Sequence, residues 1–154
     1  MVVYLVRHGI AARMANSDPE RELTPEGIAQ SRSVAKKFFL QSPQLDKGFV
    51  SPYERAKQTA AEFRLAFPQV EFEQTELITP DSDPYEVLNL LEQNQEQNVI
   101  LVSHNPLLSR LVSLLVDGTL ESNHRVQVDT SNVFCVTMDI VAPGCGELKY
   151  VLVP

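Results

Sequence analysis

Three scarcities bound what this chain can be. Cysteine is the first: of 154 residues only Cys135 and Cys145 carry a thiol. One lies in a late apolar stretch and the other in the turn Gly144-Cys145-Gly146. Neither has a CxxC partner, and two sulfurs alone do not make a zinc site. The expectation is therefore reduced thiols in a cytoplasm, with no disulfide framework and no metal. Long apolar runs are the second scarcity. None approaches the roughly 18 residues a membrane helix needs. The opening run Met1–Val6 meets Arg7 too early, and with its charge on the wrong side, for a secretory leader. The third is positive charge. A formal net charge of -7 leaves no basic stripe for nucleic acid. It also repels phosphate-bearing ligands at long range, although salt screens this beyond roughly 8–10 Å. Any anion site must then rest on a local cluster of arginines.

What the chain does have is apolar material. With 44% hydrophobic residues and no break in composition, residues 1–154 read as a single domain able to bury a core. Val2–Val6 and Val99–Val102 are continuous β-branched runs, typical of strands buried on both faces. Phe49-Val50 and Val70–Phe72 are shorter candidates. Val133–Val141 and Leu148–Val153 form a closing pair through the Pro143–Gly146 turn, hence antiparallel. Between the strands, one grammar repeats at four helix starts: Thr24-Pro25, Ser51-Pro52, Asp83-Pro84 and Asn105-Pro106. Each puts a capping side chain before a proline whose missing N–H has no helical partner to lose. Ser51 with Glu54 and Asp83 with Glu86 add capping-box spacing. Helices are expected over Pro25–Leu40, Pro52–Phe67, Pro84–Asn94 and Pro106–Val116. The fold class is α/β: a mostly parallel central sheet flanked by helices, with a late antiparallel strand.

In such sheets ligands gather at the carboxyl ends of strands, and three of those ends carry reactive residues. Arg7-His8-Gly9 closes the first strand. Ser51 closes the second, with Arg55 one turn into the following helix. Ser103-His104 closes the strand at Val99. Arginine forks match the oxygens of a phosphoryl group in a way lysine cannot. Nearby cations keep His8 neutral, with a lone pair able to attack phosphorus. Gly9 is expected to let the backbone approach the phosphate, and His104, once protonated, to offset charge in the transition state. No cofactor is needed. His124, away from any motif, is read as structural.

The ordered set Arg7-His8-Gly9, Leu23-Thr24-Pro25-Glu26-Gly27, Ser51–Thr59 and Ser103-His104 resembles the histidine phosphatase superfamily. The phrase Arg21-Glu22-Leu23-Thr24 and the small size resemble its SixA-type phosphohistidine phosphatases. The resemblance implies His8 as nucleophile, and Arg7, Arg55 and His104 as the phosphate pocket. It further suggests Arg21 and Ser131 as substrate-binding residues. Larger members carry a leaving-group acid on a helical insertion for which Thr59–Val99 has no room. Asp18, in the unpatterned loop Ala11–Glu22, is the substitute acid. The implied partner is a phosphohistidine-bearing protein of the phosphorelay or phosphotransfer type. A small phosphomonoesterase acting on a metabolite phosphate is the second reading. An inactive phosphate-binding module is the third, disfavoured because a pure reader needs the arginines but no nucleophile.

Overall fold

The structure is a computed structural model that describes residues 1–121 and 127–154. His124 lies outside the described residues. The strands are β1 (Val2–Arg7), β2 (Lys47–Val50), β3 (Glu71–Gln74), β4 (Val99–Ser103), β5 (Val133–Met138) and β6 (Gly146–Leu152). The helices are α1 (Pro25–Leu40), α2 (Glu54–Ala66), α3 (Pro84–Glu92) and α4 (Leu107–Asp117). The strands form one six-stranded sheet in the order β3-β2-β4-β1-β5-β6. The first four are parallel, while β5 pairs antiparallel with both β1 and β6. The α/β expectation and the late antiparallel pair are both borne out.

Alternation along the central strands explains their uniformly apolar sequence. Val3, Leu5, Val99 and Leu101 feed one core, which α4 closes with Leu107, Leu108, Leu111 and Leu115 and α3 with Val87 and Leu91. Tyr4, Val6, Ile100 and Val102 feed the opposite core, with Val34 and Phe38 of α1 and Ala56, Ala60 and Phe63 of α2. Both faces are covered, so each face of β1 and β4 must be apolar. Truncating a fully buried ring such as Phe63 to Ala is worth about 3–5 kcal/mol of stability. Among the described residues no helix is long and apolar enough to cross a membrane.

Two of the four expected caps form. The Thr24 hydroxyl accepts from the Gly27 N–H at 3.0 Å, and the Asp83 carboxylate accepts from the Tyr85 N–H at 3.0 Å. The other two are corrections. Ser51 does not cap α2, which begins two residues later than expected with Tyr53 in the cap position and no side-chain bond. The Ser51 hydroxyl instead reaches His104. Asn105 does not cap α4; its amide donates to the Val128 carbonyl and its oxygen accepts from the Ser109 hydroxyl, each at 3.0 Å. In both places a tertiary partner outcompetes the local cap. At the far end of α4, Gly118 takes a left-handed φ of 76°, a conformation that closes a helix at little cost only for glycine.

The strand β1–helix α1 connection is pinched at its base. Ala11 and Leu23 form an isolated bridge, Ala12 N–H donates to the Glu22 carbonyl at 2.8 Å, and Thr24 N–H donates to that of Ile10 at 2.8 Å. The intervening residues therefore project as an ear whose tip is a short turn of helix at Asp18–Glu20. Beneath the pinch, a side chain on Gly9 would strike the Gly27 carbonyl and the Ser31 hydroxyl at 2.6 Å. The glycine is thus required by packing against the start of α1.

Candidate active site

Arg7 ends β1 and His8 follows it; His104 follows β4; Arg55 is the second residue of α2, just beyond β2. Since β2, β4 and β1 are consecutive in the sheet, the four side chains expected to act together are brought to one place. His8 is 8% exposed, Arg55 4% and His104 1%. The two imidazole rings lie with their centroids 5.0 Å apart.

His8 Nδ1 is 2.7 Å from the carbonyl of Gly9. A carbonyl can only accept, so Nδ1 carries the proton and Nε2 presents its lone pair. That lone pair faces Arg55, whose Nε–H donates to it at 3.2 Å. Burial is the largest influence on the ring and holds its pKa down at about 4; Arg55, Arg7 and Arg21 press the same way, against the Gly9 hydrogen bond. The neutral His8 ring expected from the neighbouring cations is thus present, with desolvation as the main cause. Burial, then the proximity of His8 and Arg55, lower the pKa of His104 still further, to about 2. In the free site His104 is neutral, so the expected cationic form requires a bound anion to raise its pKa.

Arg7 is anchored by an Nη1–H bond to the Val128 carbonyl at 2.8 Å. Its Nε, together with His104 Nδ1, is buried without a hydrogen-bond partner among the described residues. Buried polar nitrogens left so are rare, and a pair of them at one site suits an incoming polar group such as a phosphoryl oxygen.

Residues 3–78 match the family described as "Histidine phosphatase superfamily (branch 1)". The chain is 35% identical over 159 residues to the phosphohistidine phosphatase SixA of Escherichia coli, covering 100% of this chain and 94% of that protein. It is also 35% identical over 133 residues to a Haemophilus influenzae SixA homolog, covering 75% of this chain and 77% of the other. The chain belongs to the histidine phosphatase superfamily. A solved structure of the protein histidine phosphatase SixA complexed with tungstate superimposes with a TM-score of 0.86 at 31% identity, covering 99% of this chain and 97% of that one. As a member of this superfamily the protein is a hydrolase.

Asp18, Arg21 and Ser131 fall in different places. Asp18 is at the site, but as an ion-pair partner. Its Oδ2 accepts from Arg55 Nη2 at 3.0 Å, its backbone carbonyl from Arg55 Nη1 at 2.7 Å, and its Oδ1 from Arg21 Nη1 at 2.9 Å. Burial pushes its carboxyl pKa up, yet the hydrogen bonds and charges of Arg21 and Arg55 together outweigh this and leave it below the ordinary value. A carboxylate so held is ionised at neutral pH, which does not suit a proton donor in the free site. Arg21 braces the ear, its Nε–H donating to the Ala12 carbonyl at 2.7 Å. Ser131 sits beside the backbone of Arg7 and His8. It is fully buried, its hydroxyl lies 3.3 Å from that of Ser31, and its N–H donates to the carbonyls of Arg7 and His8 at 3.0 and 3.2 Å. Its φ of 61° belongs to the tight turn that delivers this N–H. Ser131 therefore supports the backbone that carries Arg7 and His8.

Sequence reasoning gave no role to Gln58, Thr59 and Tyr53. The Gln58 side-chain oxygen accepts from Leu23 N–H at 2.7 Å, tying the base of the ear to α2. The buried Thr59 hydroxyl accepts from the Gly9 N–H at 3.0 Å and donates to the Arg55 carbonyl at 2.8 Å. One hydroxyl thus links the nucleophile segment to the arginine helix. The Tyr53 ring packs 5.0 Å from that of His104 and lies under the Arg55 guanidinium, also at 5.0 Å. The available signal was spacing: Gln58 and Thr59 stand three and four residues after Arg55, on the same helix face.

Proposed function

We propose that this histidine phosphatase hydrolyses phosphohistidine on another protein, through a phosphoryl group carried on His8. The observation that supports the reading most directly is the His8 ring itself, neutral at pH 7 and with its Nδ1 proton committed to a carbonyl. In the first step Nε2 attacks phosphorus while the bond from phosphorus to the substrate nitrogen breaks, its electron pair leaving with the substrate imidazole. In the second, water attacks phosphorus and the pair returns to His8 Nε2, releasing orthophosphate. Phosphorylated on Nε2 and still protonated on Nδ1, the His8 ring is cationic and departs as a neutral imidazole. Gly9 thereby assists the second step by keeping that proton in place. Arg7, Arg55 and His104 grip the phosphoryl oxygens, and Arg55 Nε–H passes from Nε2 to oxygen as the substrate enters.

The substrate class follows from the leaving group. Expelling an alkoxide from an alkyl phosphate needs a proton in the transition state, a service typically worth about 10²–10⁴-fold. Among the titratable groups placed at this site, His8 and His104 are neutral in the free state, and Asp18 is an ionised carboxylate that stays paired with Arg21 when Arg55 turns to the phosphoryl oxygens, with no proton to give. A phosphohistidine whose other nitrogen is protonated leaves as neutral imidazole and needs no such donor. Between α2 and β4 the chain spends its residues on the edge strand β3 and on α3, which packs with α4. No helical insertion of the kind larger members carry is available from that segment. The names of the similar proteins agree with this reading, and tungstate, present in the similar SixA structure, is a tetrahedral oxyanion like phosphate. The fitting partner is a phosphorelay or phosphotransfer protein that presents its phosphohistidine on an accessible surface.

The test compares kcat/KM for a phosphohistidine protein or peptide with that for phosphoserine peptide and 3-phosphoglycerate. p-Nitrophenyl phosphate, whose phenolate departs unaided, separates leaving-group chemistry from binding. Phosphohistidine should be cleaved fastest of the natural linkages. Faster turnover of 3-phosphoglycerate or a sugar phosphate would replace this reading by the metabolite phosphatase.

A further inference from the structure

We propose that Ser51 is a positioning residue for phosphoryl transfer: its hydroxyl fixes His104 with the proton on Nδ1, the nitrogen left to donate to a phosphoryl oxygen. The inference rests on the reading that a phosphoryl group binds beside His8, and it specifies how one of the groups gripping it is prepared.

Ser51 is fully buried, and its Oγ has two polar neighbours among the described residues. One is the Tyr53 N–H, at a long 3.4 Å; the other is His104 Nε2 at 2.7 Å. A backbone N–H can only donate, so the oxygen accepts from Tyr53. The single hydroxyl proton then has one acceptor within reach, the lone pair of His104 Nε2. A neutral imidazole has one ring proton, which the Ser51 bond assigns to Nδ1. That atom is buried and has no partner in the described protein, and its ring stands against the His8 ring.

The opposite tautomer would be damaging here. With the proton on Nε2, Nδ1 would offer a lone pair to a dianionic phosphoryl group and repel it. Moving the proton during turnover would cost part of the barrier reduction that a fixed donor supplies. Placement of Ser51 follows from topology. β2 and β4 are neighbours in parallel register, with Val50 opposite Val102. Residue 51 therefore stands opposite 103, one position short of His104, and a serine hydroxyl there is short enough to meet the ring edge. The same contact accounts for the lost helix cap, since the hydroxyl that would have capped α2 is committed to His104.

The experiment uses the full chain with ¹⁵N-labelled histidine and reads the His104 tautomer from long-range proton–nitrogen NMR at neutral pH. Vanadate affinity is measured in parallel on the same samples. Wild type should show the proton on Nδ1. In Ser51→Ala, which removes one atom and should fold, that tautomer should give way to a mixture or to Nε2–H. Vanadate affinity should fall about tenfold or more, in line with a lost charge-assisted hydrogen bond. Ser51→Thr, which keeps the hydroxyl, should restore both readouts. An Nε2 proton on wild-type His104 would overturn the proposal. So would an unchanged tautomer, or wild-type vanadate affinity, in Ser51→Ala. Failure of the wild type to cleave any phosphorylated substrate would instead strike the proposed function, because the tautomer is read without turnover.

Discussion

Replacing Arg55 by lysine keeps the charge and should still cripple the enzyme. The guanidinium donates in three directions: through Nε to His8 Nε2, through Nη1 to the Asp18 carbonyl, and through Nη2 to the Asp18 carboxylate. When a phosphoryl group arrives, the fork that held Asp18 is the fork that meets its oxygens. A lysine ammonium reaching the same buried position can aim well at one of these acceptors, not at three in fixed geometry. Charge-assisted hydrogen bonds contribute roughly 1.5–3 kcal/mol each. Losing two, with partial replacement by water, removes about 3 kcal/mol of transition-state binding. That corresponds to a fall of about 10²-fold in kcat/KM. The assay is steady-state cleavage of a phosphohistidine peptide, with vanadate inhibition measured alongside and thermal unfolding as a check on folding. Vanadate affinity should fall with the rate, because both report the grip on phosphorus-bound oxygens. A folded Arg55→Lys protein within about threefold of wild type in kcat/KM would show that charge alone matters there. The forked geometry would then have no catalytic weight.

Rapid quenching with labelled substrate should trap an acid-labile, alkali-stable phosphoryl group on His8; label on His104, or none in a variant slow to dephosphorylate, would contradict the nucleophile assignment. Prolonged chelation should leave the rate nearly unchanged, since Arg7 and Arg55 already bring positive charge to the site; a large loss restored by magnesium or zinc would mean the pocket has been misread. Stability should fall as pH drops below about 6.5. His8 and His104 are held near 4 and 2 in the native state, so the unfolded chain binds more protons in that interval. The loss should grow as pH falls towards about 4, and it should be smaller in His8→Asn, as read by denaturant midpoints from pH 7 to 4.5.

The parts of the fold legible in the sequence are those that local pattern dictates. Doubly buried strands read as unbroken apolar runs, and Thr24 and Asp83 cap as their patterns predict, the Thr24 hydroxyl donating to the Ile10 carbonyl while it accepts from Gly27. Arg7, His8, Arg55 and His104 were legible as a group because each sits at a strand end or one turn beyond, and strand ends of a parallel sheet converge. Pattern fails where a tertiary partner outbids a local one. Ser51 and Asn105 look like caps and are not, since each side chain meets a residue distant in sequence. Asp18 looked like a free acid, and nothing in Ser17-Asp18-Pro19 reveals that two arginines hold it ionised. Gly9 was assigned to the ligand although the contact that requires it is with Gly27 and Ser31. At Ser131 the backbone N–H bonds the carbonyls of Arg7 and His8, and a side-chain pattern does not report on that.

The division between sheet and ear has a consequence for how the molecule opens. His8 and His104 hang directly from β1 and β4, and Arg55 from the helix beside them. Those strands have neighbours on both sides and a core on each face, so their amide protons should exchange with solvent only when the whole molecule unfolds. The ear bearing Asp18 is held by one bridge, a few hydrogen bonds and the ion pairs of Asp18 with Arg21 and the buried Arg55, so it opens more readily than those strands once a phosphoryl group competes for Arg55. The rim can therefore yield to a bulky substrate and surrender its carboxylate from Arg55 while the nucleophile keeps its aim.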